Sequence, residues 1–332
     1  MPAGRVLVTP SILRALPQPR YQAVLQAHGF EVVYPPHGDK TPSEEELFSL
    51  LPGHVAVLAG MEPYTARVLA RAAPTLRVIA RVGVGYDAVD LRAATSQGVA
   101  VTIAPGQNHD SVAEQAFGLI LAVLRKIAAH DRGLRQGDWR RELTRPVRGQ
   151  VLGLVGVGRI GKAMVPRAVA FGMKVLAHDV RPDLAWGQTH GVQWLPLSDL
   201  LRQADVISLH TPLTPETRHL INAQTLALVK PTAVLINTAR GGLVDEEALL
   251  AALRAGRLAG AGLDVFATEP LPPGHPFTEL DQVVLTPHTA GTDAQAAADM
   301  AAVAAENVIA LLSGGWPSGH VVNEEVRAAW GR

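Results

Sequence analysis

The chain has 332 residues, with 30 basic and 30 acidic side chains and so no formal net charge. That balance excludes the basic surface that a nucleic acid or an anionic membrane selects. Cysteine is absent, which excludes disulfides, thiolate catalysis and cysteine-based zinc sites.

The length suffices for two domains with a large core. No H-E-x-x-H or comparable cluster of metal ligands occurs, so no metal is expected. The first residues, MPAGRVLVTPSIL, contain no apolar block long enough for a signal peptide, and no span of about 20 apolar residues follows. The expectation is a soluble cytoplasmic protein.

From the N-terminus, residues 5–8, 31–34, 54–59, 77–80 and 99–102 read as strands. Helical patterns at 20–28, 43–51, 65–73 and 91–97 alternate with them. Units of this length predict a parallel sheet covered on both faces. At its end stands RVGVGYDAVD, residues 81–90. It is either a plain strand-to-helix turn or a place where amides near Val84 and Gly85 hold a small carboxylate. Pro105, Gly106 and Asn108 then suit a hinge. Ser111 and Glu114 have the form of a capping box, opening a helix whose apolar face runs through Val112, Ala116, Leu119, Val123 and Ile127. Residues 132–148 carry six arginines and read as a solvated connection.

Residues 150–172, QVLGLVGVGRIGKAMVPRAVAFG, pass from an apolar strand through G-x-G-x-x-G into a helix. Gly156 permits the turn, Gly158 lets a pyrophosphate approach the backbone, and Gly161 lets helix and strand pack closely. Amides near Arg159 and Ile160 would face the phosphates with the helix dipole behind them. A second strand, 173–177, leads to Asp179, about 20 residues past the glycines, where an acid binds a ribose diol and repels a 2′-phosphate. NAD is therefore the expected cofactor.

Further strands are expected at 204–210, 233–237, 260–265 and 283–286, and helices at 199–203, 223–228, 245–255 and 293–312. The strand ends carry Arg240, then Asp264 and Glu269, then His288. Doubly wound topology brings such ends to one sheet edge. An arginine fork suits a planar carboxylate. An imidazole favoured in its charged form by a carboxylate suits proton transfer.

The motifs RVGVGYDAVD, SVAEQ, LVGVGRIG, HTPLTPETRHLIN, NTARGGLVDEEAL, GAGLDVFATEP and TPHTAG, in this order, resemble the NAD-dependent D-isomer-specific 2-hydroxyacid dehydrogenases, and most closely their short D-3-phosphoglycerate dehydrogenase-like members. The resemblance implies an α/β fold of two doubly wound parallel sheets. Residues 105–292 would form a Rossmann NAD-binding domain, and residues 1–104 with 293–332 a smaller, flavodoxin-like substrate domain. It implies Arg240, Glu269 and His288 as catalytic residues. Cofactor contacts are implied at Arg159, Ile160, Asp179, Thr211, Ala239, Arg240, Asp264 and His288, and substrate contacts at Val84, Gly85 and Arg240. The substrate would be a small D-2-hydroxy or 2-keto acid, such as 3-phosphoglycerate, hydroxypyruvate or glyoxylate. The long apolar face of the helix from Ser111 is expected at a two-fold interface, which makes a homodimer the expectation. Ala88 departs from the family's usual asparagine, His109-Asp110 is an unusual pair, Gln115 stands where histidine is common, and Ala59 lacks the phosphate-holding arginine of animal phosphoglycerate enzymes. Two alternatives share the fold: an NAD-sensing corepressor, and a formate dehydrogenase, whose histidine pairs with glutamine where this chain has Glu269.

Overall fold

The computed structural model describes residues 3–17, 19–36 and 40–330. The other residues of the expected first domain (1–2, 18, 37–39 and 331–332) lie outside the described residues. The chain forms two compact units, Met1–Asn108 with Thr292–Arg332, and His109–Gly291.

The first unit contains β1 (Gly4–Val8), α1 (Arg20–Ala27), β2 (Phe30–Val33), α2 (Glu44–Leu50), β3 (Ala56–Ala59), α3 (Ala66–Ala72), β4 (Val78–Arg81), α4 (Leu91–Ser96) and β5 (Ala100–Thr102). Its parallel sheet has the order β2-β1-β3-β4-β5. Both faces are covered, so β3 and β4 are buried along their whole length and show no polar alternation. Local signals set the helix starts. Ser43 and Glu46 form a reciprocal capping box on α2, and the Ala93 amide donates to Asp90 at the start of α4 (2.9 Å).

The second unit contains α5 (His109–Leu124), α6 (Ile127–Arg135), β6 (Val151–Val155), α7 (Arg159–Ala170), β7 (Lys174–His178), α8 (Leu184–Thr189), β8 (Val192–Trp194), α9 (Leu197–Gln203), β9 (Val206–Leu209), α10 (Ala223–Leu226), β10 (Val234–Asn237), α11 (Glu246–Arg254), β11 (Gly260–Leu263) and β12 (Val283–Leu285). Its strands are parallel in the order β12-β11-β10-β9-β6-β7-β8. Strand order reverses between β6 and β9, the position at which open α/β sheets bind ligands. Both units are thus doubly wound, as the sequence predicts.

Three expectations need correction. Ser111 does not cap α5, because the helix begins at His109 with Asp110 as the acid of its first turn; Glu114 instead accepts from Arg167 on α7 (3.0 Å). The apolar face does not run on to Ile127, because Lys126 takes a left-handed conformation (φ 53°) and separates α5 from α6. Its apolar residues, among them Ala116, Leu119 and Ile120, are buried in this unit's own core. Finally, α8 and β8 were not foreseen.

The last helix, α12 (Ala294–Leu312), returns to the first unit. Asp293 caps it by accepting from Ala296 N (2.9 Å). Its length and composition would let it cross a membrane, yet it is a core helix. Ala297, Ala301, Ala304, Ala305 and Val308 pack in one cluster with Val6, Val8, Leu58 and Ala80 of the sheet.

Candidate active site

The glycine turn joins β6 to α7 at the reversal of strand order. Gly156 has φ 91°, and a Cβ there would lie 2.7 Å from His210 C and Thr211 N, so the loops after β6 and β9 touch. At Gly161 a Cβ would sit 2.4 Å from Gly156 O, so this glycine packs the helix onto its own turn, not onto a strand as expected. A Cβ on Gly158, by contrast, would meet nothing within 4 Å. That open approach lies at the N-terminus of the 12-residue α7, where Arg159 and Ile160 begin the helix and an anion finds free amides.

Asp179 follows β7. Its Oδ2 accepts from Val157 N (2.8 Å) and its Oδ1 from Arg181 N (2.9 Å). The carboxylate is thereby fixed beside the glycine turn, as a ribose-binding acid must be. These residues fit a dinucleotide, with Asp179 for the ribose and the start of α7 for the pyrophosphate.

His210 directly follows β9, and its backbone meets Gly156. Its imidazole shares a hydrogen bond with Ser208 Oγ (2.9 Å), and although the residue is partly exposed, Nδ1 is buried without a hydrogen-bond partner among the described residues. Burial pushes its pKa down to about 4, so the ring is neutral at physiological pH.

Arg240 begins the turn after β10. Asn237, buried at the strand end, donates from Nδ2 to Arg240 O (2.9 Å) and accepts from Ala239 N (3.1 Å), so one side chain shapes the turn. Arg240 Nη1 donates to Ala239 O (2.6 Å).

Asp264, at the end of β11, is fully buried. Thr286 Oγ1 (2.5 Å) and Thr289 N (2.9 Å) donate to its Oδ1, and Ala290 N to its Oδ2 (2.9 Å). His288 N donates to Asp264 O (2.8 Å). Both carboxylate oxygens accept from the loop that holds His288. That loop needs such support, because His288 has φ 53°, a strained conformation for a residue with a side chain.

Glu269 and His288 meet across the ends of adjacent strands: His288 Nδ1 and Glu269 Oε2 are 2.6 Å apart, with both side chains about a quarter exposed (30% and 26%). Glu269 Oε1 accepts from Phe266 N (2.9 Å). Burial pushes the Glu269 carboxyl up. The hydrogen bond and charge of His288, the Phe266 amide and the Arg240 guanidinium outweigh it and hold the group below the usual carboxylate range. The Glu269 carboxylate is therefore held in its ionised form beside His288 Nδ1.

Val84 and Gly85 follow β4 in the first unit. The described residues contain no group of three His, Cys, Asp or Glu able to hold a metal. A cavity of about 590 Å³ lies at the other end of the strands, lined by α5, α6, Trp139 and Gln282, and has no part in this constellation.

Comparison with known proteins agrees with the geometry. Residues 117–290 match the model for the D-isomer specific 2-hydroxyacid dehydrogenase NAD-binding domain. The chain is 42% identical over 324 residues to a glyoxylate reductase of Thermofilum pendens, covering 95% of this chain and 94% of the other. It is 44% identical over 298 residues to a D-3-phosphoglycerate dehydrogenase of Mycobacterium bovis, covering 87% of this chain but 56% of that longer one. The D-lactate dehydrogenase of Aquifex aeolicus, solved with NAD and lactic acid, superposes with a TM-score of 0.81 at 29% identity, covering 96% of this chain and 99% of that one. The chain belongs to the D-isomer specific 2-hydroxyacid dehydrogenases, NAD-linked oxidoreductases acting on 2-hydroxy and 2-keto acids.

Proposed function

We propose that this enzyme reduces small unphosphorylated 2-keto acids of the glyoxylate and hydroxypyruvate type, using Arg240, Glu269 and His288. The observation that carries the reading is the 2.6 Å contact between Glu269 and His288, with the Arg240 guanidinium acting on the same carboxylate. Bound NAD(H) supplies or accepts the hydride. Arg240 holds the substrate carboxylate through its fork and so fixes the carbonyl. Glu269 occupies Nδ1 of His288, which leaves Nε2 to give the carbonyl oxygen its proton in reduction and to take it back in oxidation. Val84 and Gly85 keep their substrate role in this reading on the ground of the resemblance.

The preference against phosphate rests on Ala59, which is fully buried in β3 and offers no cation there. Among glyoxylate, hydroxypyruvate, pyruvate and 3-phosphohydroxypyruvate with NADH, the highest kcat/KM is expected for glyoxylate or hydroxypyruvate. A clear first place for the phosphorylated acid would overturn the assignment.

Asp179 sets the preference for NADH. Replacing it with alanine should raise KM for NADH and narrow the gap to NADPH, while Asp179→Asn keeps an acceptor for the Val157 amide and separates loss of charge from loss of the turn. A wild-type enzyme that already prefers NADPH refutes this role.

The same reading makes the enzyme a cytoplasmic homodimer. Support comes from exposed apolar side chains on and after α6: Ile127, Leu134, Trp139 and Leu143, the last fully exposed. Sedimentation at micromolar concentration is expected to give twice the chain mass; a monomer there ends the dimer proposal.

A further inference from the structure

The loop that carries Glu269 is gripped from a side that the reaction does not use. Two successive amides of this loop each meet a carboxylate. Phe266 N donates to Glu269 Oε1 (2.9 Å), and Ala267 N donates to Glu246 Oε1 (2.8 Å). Glu246 is the first residue of α11, six positions after Arg240. Its other oxygen lies 3.7 Å from His275 Nε2, and both side chains are about four-fifths buried (21% and 19% exposed). His275 is itself held in place: Phe277 N donates to its Nδ1 (3.3 Å), and its ring lies 4.8 Å from that of the buried Phe277. On the opposite side Gly241 presses on the same peptide, since a Cβ there would stand 1.9 Å from Phe266 C and 2.4 Å from Ala267 N.

Resting on the catalytic reading above, we propose that Glu246 is a positioning residue for the Glu269–His288 pair, holding the Glu269 loop through the Ala267 amide while His275 holds Glu246. The physical reason is one of tolerance. A contact of 2.6 Å between Glu269 and His288 survives little displacement, and misplacement of a catalytic group by about 1 Å costs on the order of 10²-fold in rate. The 265–269 loop has no strand or helix of its own to fix it. Glu246 ties it to a helix whose preceding turn carries Arg240, so the carboxylate-binding and proton-transferring groups share one support.

The test is Glu246→Ala in keto-acid reduction, beside Glu246→Gln, which keeps an oxygen to accept from Ala267 N. Glu246→Ala is expected to lower kcat on the order of 10-fold or more and to move the high-pH fall of kcat/KM toward that of Glu269→Gln, with KM for the keto acid and NADH binding by fluorescence little changed. Glu246→Gln should recover most of the loss, and His275→Gln should lose less than Glu246→Ala. In Glu269→Gln enzyme, adding Glu246→Ala should change kcat little, because groups acting through one another are not additive. Independent, multiplying losses overturn the proposal, as does wild-type kcat in Glu246→Ala. If Glu246→Ala does not fold, the same comparison is made with His275→Ala, which removes the support of Glu246, and failure of that variant to affect kcat or the pH profile also overturns it. Full activity in His288→Ala or Glu269→Gln would instead bring down the catalytic reading, a different result.

Discussion

Replacing His288 with alanine is expected to lower kcat by roughly 10² to 10⁴-fold, the usual worth of a positioned acid or base, while NADH binding measured by fluorescence persists. Binding should persist because the backbone of the loop is held by Asp264, whose carboxylate bonds to Thr286, Thr289 and Ala290 without using the imidazole. Glu269→Gln is the finer test. In the reductive direction the imidazole must arrive protonated, so activity falls as pH rises. Glu269→Gln removes the carboxylate that lies 2.6 Å from Nδ1, so the profile of kcat/KM against pH should change. The same profile in mutant and wild type would remove Glu269 from the mechanism, and a His288→Ala enzyme with wild-type kcat would remove His288.

Arg240→Lys should prove almost as damaging as outright removal. Lysine keeps the charge but loses the planar fork that donates two parallel hydrogen bonds to a carboxylate. Because that contact also orients the carbonyl, KM should rise and kcat fall together, with kcat/KM down by about 10²-fold or more. The turn should survive both Arg240→Lys and Arg240→Ala, since Asn237 holds it through backbone groups alone. A variant whose only defect is weaker NADH binding would assign Arg240 to the cofactor and leave the substrate carboxylate without its anchor.

The strands were legible because a doubly covered parallel sheet demands unbroken apolar runs, and β6, β10 and β11 stand out as such. Arg240, Glu269 and His288 stand out in the sequence for a related reason: each is a charged or titratable residue in the loop that follows an apolar strand. Elements and contacts without such a contrast were harder to read. The six residues of α8 and three of β8 are too short for a period to emerge. Ser111 and Glu114 imitate a cap that tertiary packing overrides, since Arg167 claims the glutamate. Asp264 illustrates a deeper limit. A strand-end acid has the same letter whether or not it braces a neighbouring loop, and only the positions of Thr286, Thr289 and Ala290 reveal the brace. Glu246 is similar, because its partners Ala267 and His275 lie far along the chain and no local pattern announces them.

The split of the first unit between the two ends of the chain bears on how the protein is made. The sheet face of Val6, Val8, Leu58 and Ala80 is closed by alanines of α12, and these are synthesised only after the whole of His109–Gly291. At ordinary elongation rates that interval lasts about ten seconds or more. Strands β1, β3 and β4 are therefore made well before the alanines that complete their face, while the second unit is contiguous in sequence. Order of synthesis and order of completion are reversed in this chain. Truncation before α12 is expected to expose the part of that face which its alanines cover.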